Sequence, residues 1–535
     1  MPSAIVAPQP LAVEEGAKVL MAGGNAIDAA VTCAFVQSII DPHMCGIGGY
    51  ALVNLHLADR PGSIGLDAPA LAGSKTTPDM WTSRIIRPNP DGWGFFLEGR
   101  VNAAGYTSIC TPGWVAGMSA ILERWGTISW AEAMAPAIRI AEEGWVVSEH
   151  QANGWKRKAT YPEDLSALDL IRLNPEASRI YLKDNGEPYD KGERLRNPDY
   201  AASLRRLAER GPADFYTGQM AAAIAADLET NGSYVTAEDL AGYRLREEMV
   251  VTGAYRGYTI TSAAAPHGGP TLIAMLNILE GYDLARLGHN TPEYIYTLGM
   301  AMKAAFADRN PHMGDPNFVE VDQAWMMSKE RAAYWRSRID AGAAIEVSYA
   351  PMGSPTTTHV TVVDAQGNCV ALTHSLGASS GVITPGMGFM YNNSMINFYP
   401  LPGHPNSIAP GKGRTTGMAP TIVYKDHQPV LVIGAPGATR IITSILQVIL
   451  NVLDFGMSPL EATHAPRIDC QGESIRAQLR IPEYVCAEVR KRHPIVHIPQ
   501  SHGGFGLVHA IAIDPVTGAL RGGADTGSDG MALVV

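Results

Sequence analysis

The feature that most constrains the fold is a strand–turn–strand segment in the C-terminal third of the chain. A run of β-branched residues, Val360 to Val363, ends at Asp364, and the next residues are typical of a turn. A second strand, Cys369 to Thr373, then returns beside the first. The segment therefore predicts an antiparallel strand pair, with Thr357 at the mouth of its first strand.

The position of Thr357 raises the question of whether its hydroxyl does chemistry. A threonine hydroxyl is a weak nucleophile near neutral pH, and threonines before strands commonly only favour extended backbone. Cleavage of the preceding bond would change this, because an α-amine has a pKa well below that of lysine and can accept the hydroxyl proton. Two interpretations follow, an inert strand-start threonine and an N-terminal nucleophile.

A second segment has the form of an anion-binding turn. A strand over residues 430–433 leads into a glycine-containing turn, and an apolar helix over residues 441–453 follows. Backbone N–H groups and the positive dipole end at a helix N-terminus suit a developing oxyanion. The plain alternative is a packing turn.

Two helices are predicted near the N-terminus, over residues 11–21 and 26–40. The second is apolar almost all round, which favours a buried helix. The glycine-rich residues 46–49 follow it. They precede a strand instead of following one, so a dinucleotide-binding turn is not indicated.

Composition excludes several classes of partner. The formal net charge of −11 argues against nucleic acid, which requires a basic face. The sequence shows neither a signal peptide nor a long apolar run, so we expect no membrane partner and a cytoplasmic location. The six cysteines are scattered without a CxxC pair, which indicates buried thiols and neither a zinc site nor a disulfide framework.

The segment around Thr357 resembles a known autoprocessing site. Thr357-Thr358-His359, followed by a Val-Val-Asp strand and a Gly-Asn turn, is similar to the cleavage site of the γ-glutamyltransferase family. These are N-terminal-nucleophile hydrolases that are made as one chain and cleave themselves into two subunits. The resemblance extends over nearly the whole chain and implies cleavage between Thr356 and Thr357.

The resemblance also implies a fold, subunits and roles. The fold would be α+β, an αββα sandwich in one compact body, with a large subunit of residues 1–356 interlocked with a small one of residues 357–535. Thr357 would attack with its own amine as base, and Ser375 would orient it. The matching turn supplies the oxyanion hole in the family, so Gly437 and Ala438 would be the donors, provided that φ at Ala438 stays negative. Neither a metal nor an organic cofactor is implied, and a dimer of heterodimers is left open.

The similarity breaks down where the family grips a γ-glutamyl group. The arginine that precedes the Ala-Pro dipeptide in the family is absent from residues 63–67. Charged hydrogen bonds contribute about 1.5–3 kcal/mol each, so several losses should abolish selectivity for this group. The other substituted positions are Gly377 for an asparagine, Ser394 and Asn397 for a glutamine and an aspartate, and Thr416-Gly417 for a serine pair.

The sequence therefore predicts an amidohydrolase with a different acyl group, acting on a small amide, for which family members that act on oxamate-like amides are a precedent. Arg414 and Lys412 are the nearest basic residues that could receive a compact carboxylate. The plain interpretation of Arg414 is a salt bridge. Three alternatives stay open: a genuine γ-glutamyltransferase or glutathione hydrolase, a β-lactam acylase of the same family, and an unprocessed, non-catalytic binding protein.

Overall fold

The computed structural model describes residues 2–92, 94–351 and 356–535. The strands of these residues are β1 (Ala4–Ala7), β2 (Tyr50–His56), β3 (Ile64–Ala68), β4 (Ile85–Pro88), β5 (Phe95–Leu97), β6 (Trp145–Val146), β7 (Arg194–Leu195), β8 (Arg246–Glu247), β9 (Val250–Tyr255), β10 (Tyr258–Ala263), β11 (Thr358–Val363), β12 (Cys369–Ser375), β13 (Thr421–Lys425), β14 (Gln428–Gly434), β15 (Ile468–Asp469), β16 (Ile475–Ala477), β17 (Ile495–His497), β18 (His509–Ile513), β19 (Leu520–Ala524) and β20 (Met531–Val534).

The helices account for most of the remaining regular structure. They are α1 (Pro10–Met21), α2 (Ala26–Ile40), α3 (Trp114–Trp125), α4 (Trp130–Glu143), α5 (Glu149–Lys156), α6 (Ala167–Arg172), α7 (Pro175–Tyr181), α8 (Pro198–Arg210), α9 (Gln219–Thr230), α10 (Ala237–Ala241), α11 (Gly269–Leu279), α12 (Leu284–Leu287), α13 (Pro292–His312), α14 (Gln323–Met326), α15 (Lys329–Asp340), α16 (Arg440–Leu453), α17 (Pro459–His464) and α18 (Glu483–Arg490). The helices predicted over residues 11–21, 26–40 and 441–453 correspond to α1, α2 and α16 within one residue at each end.

Two antiparallel sheets form the centre of the molecule. The first has the strand order β20-β1-β11-β12-β2-β3-β8, and the second has the order β19-β18-β14-β13-β10-β9. They face each other, because β11 and β12 contact β14 while β2 contacts β10 and β13. Helices α1, α2 and α3 cover the outer face of the first sheet, and α11, α16 and α17 cover that of the second. The layers therefore run helix, sheet, sheet, helix.

The buried helix α2 shows how the sequence builds this layering. The side chain of Asn25 accepts the N–H groups of Ile27 and Asp28, and the Asp28 carboxylate accepts the N–H of Asn25, which forms a reciprocal cap at the helix N-terminus. Small and apolar residues around the whole helix then let it pack between β11–β12 and α1. A bond from the Ala26 N–H to the Asp364 carboxylate fixes α2 to the turn between β11 and β12.

Strands from before and after Thr357 alternate in the first sheet. The early strands β1 and β2 pair with β11 and β12, which come after Thr357. The C-terminal strand β20 pairs with β1 at the sheet edge. Cleavage between Thr356 and Thr357 would therefore leave two segments held together by sheet hydrogen bonds and a shared core.

The register of the first sheet decides where the Thr357 side chain points. Side chains alternate between the two faces of a strand, and Val363 and Cys369 lie in the core between the two sheets. Thr357 and Ser375 are an even number of residues from them along the same strand lines, so both face the second sheet. The nucleophile candidate thus lies at the mouth of the space between the sheets.

Candidate active site

Thr357 is enclosed, and its hydroxyl lies beside the peptide bond that the resemblance marks for cleavage. Only 4% of the residue is exposed. Its Oγ1 lies 2.6 Å from the carbonyl oxygen of Thr356 and 3.1 Å from the Oγ of Ser375. The hydroxyl therefore lies next to its own preceding carbonyl.

The hydrogen bonds of Ser375 assign its proton. The N–H of Gly377 donates to the Ser375 Oγ at 2.9 Å, and that Oγ donates to the Thr356 carbonyl oxygen at 2.7 Å. A hydroxyl has a single proton, so Ser375 then accepts from Thr357. The predicted contact between Ser375 and Thr357 is present, and Ser375 additionally polarises the Thr356 carbonyl.

Gly377 acts through its backbone. Its φ is +78°, and a Cβ at this position would come 2.5 Å from the Oδ1 of Asn393. A side chain is therefore excluded on two grounds, conformation and space. We predicted a substrate-binding position at Gly377, and the structure places it beneath Ser375, where it supplies an N–H.

The glycine-rich residues 46–49 lie against Ser375, next to the nucleophile candidate. A Cβ on Gly49 would come 2.3 Å from the carbonyl oxygen of Ser375, so only glycine permits this approach. The Nδ2 of Asn392 donates to the Gly48 carbonyl at 2.9 Å. This contact joins the glycine loop to residues 391–397. A bond from the Asn393 N–H to the Leu376 carbonyl joins the same residues to the end of β12.

Buried neutral histidines line the strands behind Thr357. His359 contacts the hydroxyls of Thr373 and Thr361 at 2.8 Å from each ring nitrogen. Burial lowers the pKa of His359 well below its usual range, and it lowers the pKa of His374 to about 3. Neither ring carries a charge near neutral pH, which leaves the α-amine as the base candidate.

The candidate oxyanion turn has a conformation that we did not expect. Ala438 has φ +57° and Gly437 has φ +135°, so the condition of a negative φ at Ala438 is wrong. A left-handed alanine costs about 1 kcal/mol, because its Cβ approaches the backbone. The N–H groups of both residues have no hydrogen-bond acceptor within residues 2–92, 94–351 and 356–535. They are therefore unoccupied donors, as an oxyanion hole requires.

Contacts of Gly434 and Gly417 place this turn in the site. A Cβ on Gly434 would come 2.1 Å from the His359 ring, two residues after the nucleophile. A Cβ on Gly417 would come 2.1 Å from the carbonyl oxygen of Ala438. The two glycines thus let the oxyanion turn pack between the nucleophile strand and residues 413–418.

Arg414 lies in a buried pocket that Tyr50 of β2 also lines. It is 4% exposed, its guanidinium carbon lies 4.3 Å from the centre of the Tyr50 ring, and its Nη1 lies 3.5 Å from the Thr415 carbonyl oxygen. Tyr50 is directly opposite Ser375 in the register of β2 and β12, so their side chains share a face. Arg414 is not an exposed salt-bridge residue but a cation stacked next to the site.

Lys412 is surrounded by hydrogen-bond acceptors, whereas the residues predicted to replace the γ-glutamyl grip are not fully hydrogen-bonded. The Nζ of Lys412 donates to the carbonyl oxygens of Pro405 and Ser407, and burial lowers its pKa. Ser394 and Asn397 are buried in one 3-10 turn. The Ser394 Oγ and the Asn397 Oδ1 have no hydrogen-bond partner within the described ranges. Lys412 is thus structural, whereas the turn presents unsatisfied polar atoms.

Sequence reasoning missed a group of charged residues behind Arg414. His267 Nδ1 lies 2.8 Å from the Thr416 Oγ1, and His267 Nε2 lies 3.0 Å from the Asp67 Oδ2. Arg246 donates to Asp315 at 2.7 Å and lies 4.0 Å from Asp67. The signal available was Asp67, a carboxylate near the end of β3 that has no cation close to it in the sequence.

The fold and the site define the class of protein. Two facing antiparallel sheets between helical layers, with a hydroxyl residue at the start of an inner strand, is the architecture of N-terminal-nucleophile hydrolases, and the sequence model of one family, gamma-glutamyltranspeptidase, matches residues 12–535. The chain belongs to the γ-glutamyltranspeptidase family.

Relatives in this family include acylases and glutathione hydrolases. The chain is 38% identical over 539 residues to the acylase ACY 1 proenzyme of Pseudomonas sp. (strain V22), which covers 99% of this chain and 93% of that protein. It is 34% identical over 479 residues to the glutathione hydrolase proenzyme of Escherichia coli (strain K12), covering 86% and 79%. The crystal structure of cephalosporin acylase from Bacillus halodurans superposes with a TM-score of 0.86 at 28% identity, covering 99% and 95%.

Among the described residues, no helix combines the length and the apolar character that crossing a bilayer requires. All six cysteines are buried thiols.

Proposed function

We propose that the chain is an autoprocessing amidohydrolase in which Thr357 becomes the N-terminal nucleophile. We further propose that the acyl part of its substrate carries a free carboxylate in addition to the amide that is cleaved. The observation that carries the first part is the contact of the Thr357 and Ser375 hydroxyls with the Thr356 carbonyl. The observation that supports the second part is the buried Arg414 cation, which stacks on Tyr50, the residue opposite Ser375 in the first sheet. Its relatives named as proenzymes support a precursor that matures by cleavage.

Maturation begins with attack of the Thr357 Oγ on the carbonyl carbon of Thr356, and the hydroxyl proton passes to the Thr357 nitrogen as it leaves. The Ser375 hydroxyl, 2.7 Å from the carbonyl oxygen, stabilises the oxyanion that forms. Collapse breaks the C–N bond and leaves an ester on the Thr357 Oγ with a free α-amine. Water then hydrolyses the ester, which releases the Thr356 carboxylate and frees the hydroxyl.

The same groups then act on substrate. The α-amine of Thr357 takes the hydroxyl proton as the Oγ attacks the amide carbonyl. The N–H groups of Gly437 and Ala438 hold the oxyanion, the amine leaves with a proton from the Thr357 amine, and water releases the acid. No step needs a metal or an organic cofactor.

The acyl pocket favours an anionic tail. Arg414 has no carboxylate partner within hydrogen-bonding distance among the described residues, and its Nε has no acceptor there. A buried guanidinium without a counter-ion is costly, and a substrate carboxylate would supply the bidentate partner. Because the cation stacks on Tyr50, which pairs with Ser375 in the first sheet, a short acyl group such as that of oxamate-like amides would bring its carboxylate to Arg414.

The test is ammonia release from a series of amides. The panel contains oxamate, malonamate, succinamate and glutaramate, together with neutral amides of matching length and a γ-glutamyl anilide. We expect turnover of at least one carboxylated amide, none by Thr357→Ala, and at least about tenfold lower kcat/KM in Arg414→Met, since a charged hydrogen bond is lost. Preference for neutral amides in the wild type would contradict the anionic acyl group.

Glutathione hydrolysis is the second candidate, because a relative of that name is 34% identical. The family's carboxylate-binding arginine is absent from residues 63–67, and Ser394 and Asn397 replace the groups that hold the α-amine. Ordinary rates with the γ-glutamyl anilide would establish this candidate. Because a cephalosporin acylase is a structural neighbour, the panel also includes the best acyl group linked to bulky amines.

A further inference from the structure

Three side chains of the kinds that bind metal ions meet between α18 and β17. They are Glu483 and Cys486, one turn apart on α18, and His497, the last residue of β17. One carboxylate oxygen, the thiol sulfur and one ring nitrogen all lie within 4.8 Å of one another. None of the three takes part in the proposed hydrolysis, so the group calls for a separate explanation.

Two neighbouring elements bring these residues together. Glu483 and Cys486 share one face of α18, because residues three apart on a helix are neighbours. His497 is held opposite Ala477 by the parallel pairing of β17 with β16, and α18 packs against β17. Cys486 and His497 are 11 positions apart in the chain. The absence of a CxxC pair from the sequence therefore does not exclude a site of this kind.

Both nitrogens of the His497 ring face an acceptor oxygen. Its Nε2 lies 2.8 Å from the Ile481 carbonyl oxygen, and its Nδ1 lies 3.3 Å from the Glu483 Oε2. A neutral ring carries one N–H, and the shorter contact assigns it to Nε2. Nδ1 then directs a lone pair at a carboxylate, an arrangement that a shared cation stabilises. A backbone carbonyl on the second ring nitrogen is also the usual orienting partner of a metal-binding histidine.

The carboxylate and the thiol are positioned to complete a ligand set. The Nη1 of Arg490 donates to the Glu483 Oε1 at 2.9 Å, which leaves the Oε2 directed at His497. The Sγ of Cys486 lies 3.4 Å from the His497 Nε2, and the residue is fully buried. The side chain of Glu483 is 64% exposed and that of His497 is 21% exposed. An ion can therefore reach the buried thiol from the carboxylate side.

The separations suit a small tetrahedral cation. Zn²⁺ binds thiolate sulfur at about 2.3 Å and imidazole nitrogen or carboxylate oxygen at about 2.0–2.2 Å, so its ligand atoms are about 3.4–3.6 Å apart. The distance of 3.3 Å between the His497 Nδ1 and the Glu483 Oε2 is already close to this value. The thiol sulfur completes the set after a side-chain shift of about 1 Å. A thiolate and an imidazole together favour Zn²⁺ over Mg²⁺ and Ca²⁺, which prefer oxygen ligands.

We propose that Glu483, Cys486 and His497 bind one Zn²⁺ ion, which joins α18 to β17. His497 binds through Nδ1, Glu483 through Oε2, and Cys486 as the thiolate, whose proton passes to the solvent as the Zn–S bond forms. Three protein ligands leave the fourth tetrahedral position to water. The proposal does not depend on the proposed function, because no step of maturation or hydrolysis uses these residues.

The experiment is a titration of the purified protein with Zn²⁺ and with Co²⁺, after treatment with a chelator and without an added histidine tag. By calorimetry we expect one Zn²⁺ per chain, with a dissociation constant of about 1 μM or below. Co²⁺ reports its ligands by absorption, so we expect a thiolate-to-Co²⁺ charge-transfer band that is complete at one equivalent. Zn²⁺ should also raise the midpoint of thermal unfolding, because it binds the folded chain more tightly than the unfolded chain.

Three substitutions and a control assign the ligands. Cys486→Ser should abolish the charge-transfer band, and His497→Gln and Glu483→Gln should each weaken Zn²⁺ binding at least about tenfold. The last two replace partly or largely exposed side chains, and glutamine at position 497 keeps an N–H donor for the Ile481 carbonyl, so both variants should fold. His502→Gln is the matched control, because this histidine is exposed and outside the group, and its Zn²⁺ affinity should equal that of the wild type.

Three results would overturn the proposal. If the wild type binds no Zn²⁺ up to about 100 μM, the group is an ion pair between His497 and Glu483 without a metal. Equal affinity in the wild type, His497→Gln and Glu483→Gln would place the ion elsewhere. Binding of Co²⁺ without the charge-transfer band would exclude Cys486 as a ligand. None of these results bears on cleavage before Thr357 or on amide hydrolysis, so they are distinguishable from failure of the proposed function.

Discussion

The Ser375 hydroxyl donates to the carbonyl oxygen of Thr356 at 2.7 Å, and this bond links the proposed maturation step to the proposed attack on substrate. It polarises the bond before the nucleophile while the Thr357 Oγ lies 2.6 Å from the same oxygen. After cleavage the place of this carbonyl becomes available to a substrate carbonyl. One serine is thus positioned to act on two acyl groups in succession.

The first prediction concerns this serine. Ser375→Ala should slow conversion of the precursor about 10²–10³-fold, because one donor to the developing oxyanion is removed. Ser375→Thr should mature at close to the wild-type rate, since it keeps the hydroxyl. Time courses on denaturing gels measure both. Equal rates for alanine and wild type would show that Ser375 has no part in the cleavage.

The second prediction concerns the left-handed residue of the oxyanion turn. Ala438→Gly should raise the free energy of unfolding by about 0.5–1 kcal/mol, because glycine adopts φ +57° without steric cost. Ala435→Gly is the matched control, since this residue is outside the left-handed region and its replacement should be destabilising. Thermal unfolding of both variants provides the measurement, and a loss of stability in Ala438→Gly would contradict the assigned conformation.

The third prediction concerns the glycine that takes the place of a serine. Gly417→Ser should reduce kcat at least about tenfold without creating γ-glutamyl specificity. Its Cβ would meet the Ala438 carbonyl oxygen at 2.1 Å and displace the oxyanion donors. Thr416→Ser is the control, because it keeps the hydroxyl. Steady-state assays with the best carboxylated amide and with the γ-glutamyl anilide measure this effect. A gain in γ-glutamyl hydrolysis would contradict the prediction.

The fourth prediction is a loss of stability in acid. Burial lowers the pKa values of His43 and His374 to about 3 and that of His509 to about 4, below the unfolded value of about 6.5. The unfolded chain therefore binds more protons than the folded chain once the pH falls below about 6.5. The stability that the folded protein has with these rings neutral is fully present above about pH 6.5 and is lost as the pH falls. Burial raises the pKa of Asp41 to about 6, which opposes the trend.

Thermal unfolding between about pH 7.5 and pH 4.5 tests this sign. The midpoint should fall steadily below about pH 6.5, before ordinary carboxylates titrate. A midpoint that stays constant or rises down to pH 5 would show that the histidines are solvated or charged in the folded protein.

Local pattern was sufficient for part of this account. The cap at Asn25, the apolar run of α2 and the strand–turn–strand after Thr357 are encoded by neighbouring residues, so their bounds follow from the sequence. The cluster of Asp67, Arg246 and His267 is different. Its members are up to about 200 positions apart and meet only when β3, β8 and the turn before α11 are assembled.

Backbone conformation in the oxyanion turn was also beyond local reasoning. Alanine normally avoids positive φ, so the sequence favoured a negative value at Ala438. The close packing of Gly417 and Gly434 against this turn imposes the left-handed conformation, and those contacts are tertiary. The departures from the γ-glutamyl pattern were visible in the sequence, but the position of the buried His267 beside Thr416 was not.

The most direct test of the central claim is intact-mass and N-terminal analysis of active, purified protein. The account predicts two fragments, the smaller beginning with Thr357, and an uncleaved Thr357→Ala chain without activity. A single intact chain that hydrolyses amides at the wild-type rate would contradict it.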